Sequence, residues 1–302
     1  MPQFKNKIAF VVATKDRPSE LRRLLKNLET QSYKPDQIVI VEGSESPAED
    51  PKKEFSTLKL DYLHSTPPSA ARQRNVGIEM VSPDITLIGF LDDDVELEPD
   101  AIEIMMRYWE NAPEQIAGTA LNMVNHPQLY ASRLKALKLT EKFGFYSKKR
   151  GEVPASGFQT MIGNVSETIN TRWLPTTAVI WHRRVFDEFR FDEWFSGYSY
   201  LEDLDFSYRV GRKNQLAVVA DAKYFHYPAL NGRGDDYSFG KREVVNRIYF
   251  VKKNEELSLF KCYMGLIIRM FISLTLSVRE KQTSYLRRVR GNIGGLIISI
   301  MK

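Results

Sequence analysis

Three consecutive aspartates, Asp92-Asp93-Asp94, close the apolar run ITLIGFL. Adjacent carboxylates repel one another, and at the end of a buried strand they need a cation or strong donors. On an extended chain Asp92 and Asp94 point to one side and Asp93 to the other. Mg²⁺ or Mn²⁺ is typically held by one or two carboxylates together with substrate phosphates, so this is the first candidate metal cluster. The plainer alternative is a solvated acidic turn. A second acidic pair, Glu202-Asp203, stands in GYSYLEDLDFSYRV behind Trp194, Phe195, Tyr198 and Tyr200. A carboxylate beside an aromatic wall can hold a sugar face and take a proton from a hydroxyl. Alternatively Glu202, Asp203 and Asp205 only enrich the first turn of a helix, where its dipole favours them.

Arg72 and Arg74 flank a helix start in SAARQRNVG. Arginine forks and helix N-terminal amides both suit a diphosphate, although surface arginines on an amphipathic helix read the same way. His226, in VADAKYFHYP, falls at a strand end; a lone histidine is more often structural than a metal ligand. Neither GxGxxG nor GxxxxGK[ST] occurs, which disfavours a dinucleotide oxidoreductase or a P-loop enzyme.

These residues need a scaffold, and the hydrophobic pattern supplies one. KIAFVVAT and DQIVIVE read as buried strands, LKLDYLH as a weaker one, and ITLIGFL as a central one. Between the first two, Leu21, Leu24, Leu25 and Leu28 mark one face of a helix. Helices are predicted over Ala70 to Val81 and Ala101 to Trp109, the latter opened by Pro99. Such alternation predicts a mainly parallel sheet with helices on both faces. Ligands bind outside the carboxyl ends of such strands. Four polar clusters fall there: Thr14 to Arg17, Glu42 to Ser44, Arg72 to Asn75 and Asp92 to Asp94. Beyond Ile116 the rhythm loosens. IAGTALNMV reads as a strand, Leu129 to Tyr146 as a helix, Gly151 to Asn170 as a loop, TTAVIWHRRVFDEF as strand then helix, and EDLDFSYRVGRK as a helix starting near Ser199. From Lys241 the chain is expected to be helical up to Gly291.

At 302 residues the chain can bury a full core, and its 43% apolar and 27% charged content is that of a folded protein. The single cysteine, Cys262, allows no internal disulfide and fits a reducing compartment. A polar N-terminus leading straight into the first strand predicts no secretory signal. The net charge of +5 is uneven: Lys241 to Lys302 carries 13 basic and four acidic residues.

Together these features resemble glycosyltransferase family 2. The resemblance runs from about Lys7 to Asn254 in the expected order. IAFVVATKDRP looks like the family's opening strand and loop, and IVIVEGS like its nucleoside-reading strand, with Glu42 where Asp is usual. ARQRNVGI resembles its ARN-type stretch, LDDDV its Asp-x-Asp metal motif, and FSGYSYLEDLDFSYRV its ED motif. NRIYFVKKN resembles a segment of bacterial members that build surface polysaccharides. The resemblance implies a GT-A fold, Rossmann-like, with a C-terminal helical extension. It also implies an inverting transfer from a nucleotide-diphosphate sugar to an acceptor hydroxyl, in surface polysaccharide or glycolipid synthesis. Asp94 with Asp92 or Asp93 would hold Mg²⁺ or Mn²⁺, and His226 could join them. Thr14, Arg17, Glu42, Arg72, Arg74, Asn75, Asp92 and Asp93 are the donor-binding candidates. Asp203 would be the base, and Glu202 a neighbour positioning the acceptor.

The expected division is a nucleotide-sugar half at 1–120, an acceptor half at 121–235 and C-terminal helices at 236–302. Leu257 to Val278 is long enough to span a bilayer, but Lys261 and Arg269 make spanning costly. With Arg287, Arg288 and Arg290 nearby, a helix lying on an anionic membrane is one reading; packing on the catalytic domain or a partner subunit is the other. The expected partners are a nucleotide sugar and a glycan or lipid-linked acceptor, with no nucleic acid and oligomerisation left open. The expected place is the cytoplasm, at the inner face of the membrane if the helices attach there. Two rivals remain: a sugar-phosphate nucleotidyltransferase, for which ATKDRPSE lacks the glycine-rich loop, and a non-catalytic nucleotide-sugar- or lipid-binding protein.

Overall fold

A computed structural model describes residues 4–46, 49–126, 141–228 and 235–301. The expected helix from Leu129 lies mostly outside these residues. The chain forms two compact units, Met1–Gln128 with Ile162–Ala229, and Leu129–Met161 with Leu230–Lys302.

The first unit is built on one sheet. β1 (Ile8–Thr14), β2 (Gln37–Glu42), β3 (Leu60–His64) and β4 (Leu87–Leu91) are followed by β5 (Val95–Leu97), β6 (Ile116–Met123), β7 (Ile169–Thr171), β8 (Ala178–His182) and β9 (Gln215–His226). The order is β3-β2-β1-β4-β8-β6-β9-β5, with β7 also on β9. β1 to β4 pair in parallel. β8 then enters antiparallel between β4 and β6, so the second half of the sheet is mixed.

Alternation along β1 sorts its side chains onto two cores. Ile8, Phe10 and Val12 join the four leucines of α1 (Pro18–Glu29) and Met105 and Trp109 of α3 (Ala101–Glu110) on one face. Ala9 and Val11 join Ile78 of α2 (Ala70–Glu79), and Phe206 and Val210 of α5 (Glu202–Gly211), on the other. The short α4 (Val185–Glu188) adds Val185 and Phe186 there. Burying each α1 leucine contributes about 1.5–3 kcal/mol, an upper bound against a compact unfolded chain. α2 lies unusually close to the sheet: a Cβ on Gly77 would sit 2.2 Å from Val11 Cγ1. That closeness brings the polar side of α2 to the strand ends.

The second unit contains α6 (Asp236–Lys253), α7 (Leu259–Glu280) and α8 (Thr283–Met301). Helix α8 continues through Gly291, where the sequence suggested a stop. These glycines are contact points: a Cβ on Gly291 would lie 2.0 Å from the Tyr237 carbonyl of α6, and one on Gly240 would lie 2.3 Å from the Arg288 carbonyl. Three charged groups are packed into the same interface. The Glu243 carboxylate is fully buried and accepts from Arg269 at 2.6 Å and Arg288 at 3.0 Å, and the two arginines hold its pKa below the usual range against burial.

Candidate active site

The three aspartates occupy a turn rather than a strand, because β4 stops at Leu91 and β5 starts at Val95. The turn is pinned at both ends: Asp92 N–H donates to the Thr177 carbonyl at 3.0 Å, and the Asp94 carbonyl accepts from Tyr227 N–H at 2.9 Å. Its side chains divide only in part, because Arg17 Nη1 donates to Asp93 Oδ1 at 2.9 Å and also to Asp94 Oδ2 at 3.4 Å. Asp93 turns to β1 and the loop after it, accepting from Thr14 Oγ1 at 2.6 Å and Arg17 Nη1 at 2.9 Å. Burial pushes the Asp93 carboxyl up to about 6, against the pull of Thr14 and Arg17.

Asp92 and Asp94 nevertheless come together with His226. Each of the three offers a ligand atom within 4.8 Å of the others. The antiparallel register sets His226 of β9 opposite Val95 of β5, one residue after Asp94. Nε2 of His226 accordingly lies 3.1 Å from Asp94 Oδ1. Asn125 fixes the histidine's main chain, its amide donating to the His226 carbonyl at 2.8 Å and accepting from the His226 N–H at 2.9 Å.

The ED pair opens α5. Ahead of it the backbone takes positive φ at Ser199 (51°) and Leu201 (74°). These left-handed residues cannot continue a helix, so α5 starts at Glu202 and not near Ser199. The same loop reaches α2, whose Ala70 and Ala71 amides donate to the Gly197 carbonyl and Ser199 Oγ at 3.3 and 3.4 Å. Those amides, expected to face a diphosphate, hold protein instead.

Arg74 connects the two acidic motifs. One arm donates to Glu202 and the other to Asp92 at 3.2 Å. Burial opposes its charge, but Glu202, Asp92 and Asp203 hold its pKa above the ordinary value. Burial pushes Glu202 up to about 8 although Arg74 pulls the other way, and its Oε2 is buried without a hydrogen-bond partner. Asp203 is only half-buried; Oδ1 accepts from Leu204 N–H at 2.8 Å, and burial raises its pKa.

The remaining sequence candidates lie around this centre or apart from it. Glu42 ends β2 and accepts from Ser44 N–H at 3.0 Å. Arg72 is exposed. The Asn75 amide clasps the Phe191 backbone, donating at 2.9 Å and accepting at 3.0 Å, and also donates to Glu193 at 3.0 Å. Of the aromatic group, Phe195 is wholly buried in the core while Trp194 and Tyr198 are exposed. Sequence reasoning passed over two residues. Gln73 donates to the carbonyls of Thr14 at 2.9 Å and Val41 at 2.7 Å, tying the ends of β1 and β2, and nothing in its type set it apart from its neighbours. Asn125 follows an apolar strand as Glu42 does, and that signal could have found it.

The fold recurs in solved glycosyltransferases. TarS of S. aureus aligns over 90% of this chain and 44% of its own, at 16% identity and TM-score 0.53. Residues 1–349 of TarS, crystallised with UDP-GlcNAc, align over 81% of this chain and 66% of that one, at 14% identity and TM-score 0.51. GalNAc-T7, crystallised with UDP, GalNAc and Mn²⁺, aligns over 80% of this chain and 48% of that one, at 13% identity and TM-score 0.56. This chain therefore spans less than half the length of full TarS, and at these identities the likeness is one of fold. No curated protein sequence matches it. The family profile for glycosyl transferase family 2 matches residues 9–163, just over half of the chain. With the GT-A arrangement of strands and the acidic centre at their carboxyl ends, this chain belongs to glycosyl transferase family 2.

Proposed function

We propose that this glycosyltransferase is metal-dependent and inverting, moving a sugar from a UDP-linked donor to an acceptor hydroxyl during synthesis of a surface polysaccharide or glycolipid. The observation that carries the reading is the convergence of Asp92, Asp94 and His226, with Arg74 tying Asp92 to Glu202, the chain neighbour of Asp203. The UDP ligands of the TarS and GalNAc-T7 crystals support the donor class.

Two carboxylates and an imidazole form a donor set suited to a divalent cation. The nitrogen favours Mn²⁺ over Mg²⁺, which prefers an all-oxygen shell. Bound there, the cation supplies charge neutralisation of the leaving diphosphate. Around it Thr14 and Arg17 fix Asp93, and Glu42 stands at the end of β2, where the nucleoside would lie. Arg17, and Arg72 from the exposed side of α2, add positive charge for the phosphates. Arg74 has a different part, holding Asp92 and Glu202 in place.

Asp203 takes the proton from the acceptor hydroxyl; its Oδ1 is held by Leu204 N–H, leaving Oδ2 for the transfer. A carboxylate raised by burial is the stronger base. As the acceptor oxygen bonds to the anomeric carbon, the bond to the diphosphate oxygen breaks on the opposite face, inverting that carbon. The test is thermal-shift binding of a nucleotide-sugar panel with Mn²⁺ or with chelator. Stabilisation by a UDP-sugar that vanishes with chelator supports the reading; metal-independent binding would refute it.

A further inference from the structure

We infer that α7 and α8 together form a docking surface for an anionic lipid bilayer, lying in its interface rather than crossing it. Helix α7 is long and apolar enough to span, but its two sides differ. Phe260, Ile267, Phe271, Leu274 and Val278 recur at helical spacing and are exposed, Phe271 by 64% and Val278 by 81%. The opposite side, with Cys262, Gly265, Leu266, Ser273 and Ser277, is buried. Arg269, which weighed against membrane contact in the sequence, is turned away from the apolar stripe onto Glu243. Lys261 packs near Gly144. The exposed stripe is therefore free of charge between Phe260 and Val278. α8 adds a second apolar row, Ile293, Ile297 and Ile300, the last 74% exposed.

The connection between the helices identifies the occupant. Arg279, Lys281, Arg287 and Arg290 are all exposed there, against a single exposed acid, Glu280. Apolar rows beside a cationic cluster match a membrane of acidic headgroups over acyl chains. A second copy of the chain would bring the same positive charge to the contact and be repelled. Spanning is disfavoured because Arg269 of α7 is held by Glu243 of α6, which also holds Arg288 of α8, so α7 is tied by charge to its two neighbours.

The experiment is co-sedimentation of the full chain with vesicles of phosphatidylcholine alone, or mixed in equal parts with phosphatidylglycerol. Binding to the mixed vesicles only, weakened by salt, is expected. Each exposed arginine contributes about five-fold, so Arg287→Gln with Arg290→Gln should weaken binding roughly 25-fold. Ile267→Asp with Phe271→Asp should abolish it while the circular dichroism spectrum and melting temperature stay unchanged. Absence of vesicle binding by the folded chain would overturn the inference. So would binding that neither double variant alters, or light scattering that shows the stripe holding a dimer.

Discussion

Asp94, in the turn before β5, and His226, at the end of β9, are more than a hundred residues apart in sequence, yet Oδ1 and Nε2 lie 3.1 Å apart because Val95 and His226 are register partners in the β5–β9 ladder. That pairing brings a third candidate ligand to the aspartate turn, one that neither acidic motif contains.

If His226 is a ligand, His226→Ala lowers Mn²⁺ affinity by about 10–100-fold, a loss seen even for groups that only support a ligand. Mg²⁺ affinity should fall less, since its shell makes little use of nitrogen. Electron paramagnetic resonance of free Mn²⁺, with Mg²⁺ as competitor, measures both.

Asp203→Asn removes the proposed base but keeps the shape and the contact to Leu204. Transfer should fall by about 10²–10⁴-fold, with donor affinity unchanged. Steady-state transfer rates and donor titrations separate the two; retained activity would remove Asp203 from the base role.

Glu202 supplies a pH signature. Burial raises its pKa from 4.5 to about 8, so the fold favours the protonated form. That contribution to stability is full below pH 4.5 and is lost as pH rises through 8. Glu202→Gln should flatten this slope, as read by urea denaturation on both sides of the window. Arg74→Met should cost about 1–3 kcal/mol near neutrality, because Glu202 can stay protonated while Asp92 loses its cation. The double variant should cost less than the sum of the two single changes.

Gly291→Ala places a methyl 2.0 Å from the Tyr237 carbonyl. Backbone cannot yield as a side-chain tip does, so α8 must shift at a cost of about 1–3 kcal/mol. Limited proteolysis should then cut the C-terminal helices sooner.

How far the sequence spoke depends on the range of the contacts. The strands and α1 were legible because Ile8 to Val12 and the α1 leucines carry their burial in local periodicity. The aspartate cluster was legible because like charges beside an apolar strand are costly without a partner. Long-range register was not: nothing near His226 tells that it will face Val95, and nothing near Arg74 tells that it will span Asp92 and Glu202. Helix α8 ran past its expected end because Gly291 serves contact with α6, and a glycine at a packing site and one at a helix stop look alike in sequence. The start of α5 was set by φ values at Ser199 and Leu201 that neither residue type announces.

In the proposed function the aspartate turn and His226 hold a metal that activates a nucleotide-sugar donor. Release of nucleoside diphosphate from a donor panel, with Mn²⁺ and with chelator, tests it most directly in the wild-type chain and in Asp94→Ala. Release from one donor, dependent on metal and lost in the variant with its fold intact, is expected. Equal release with chelator, or from the variant, would contradict it.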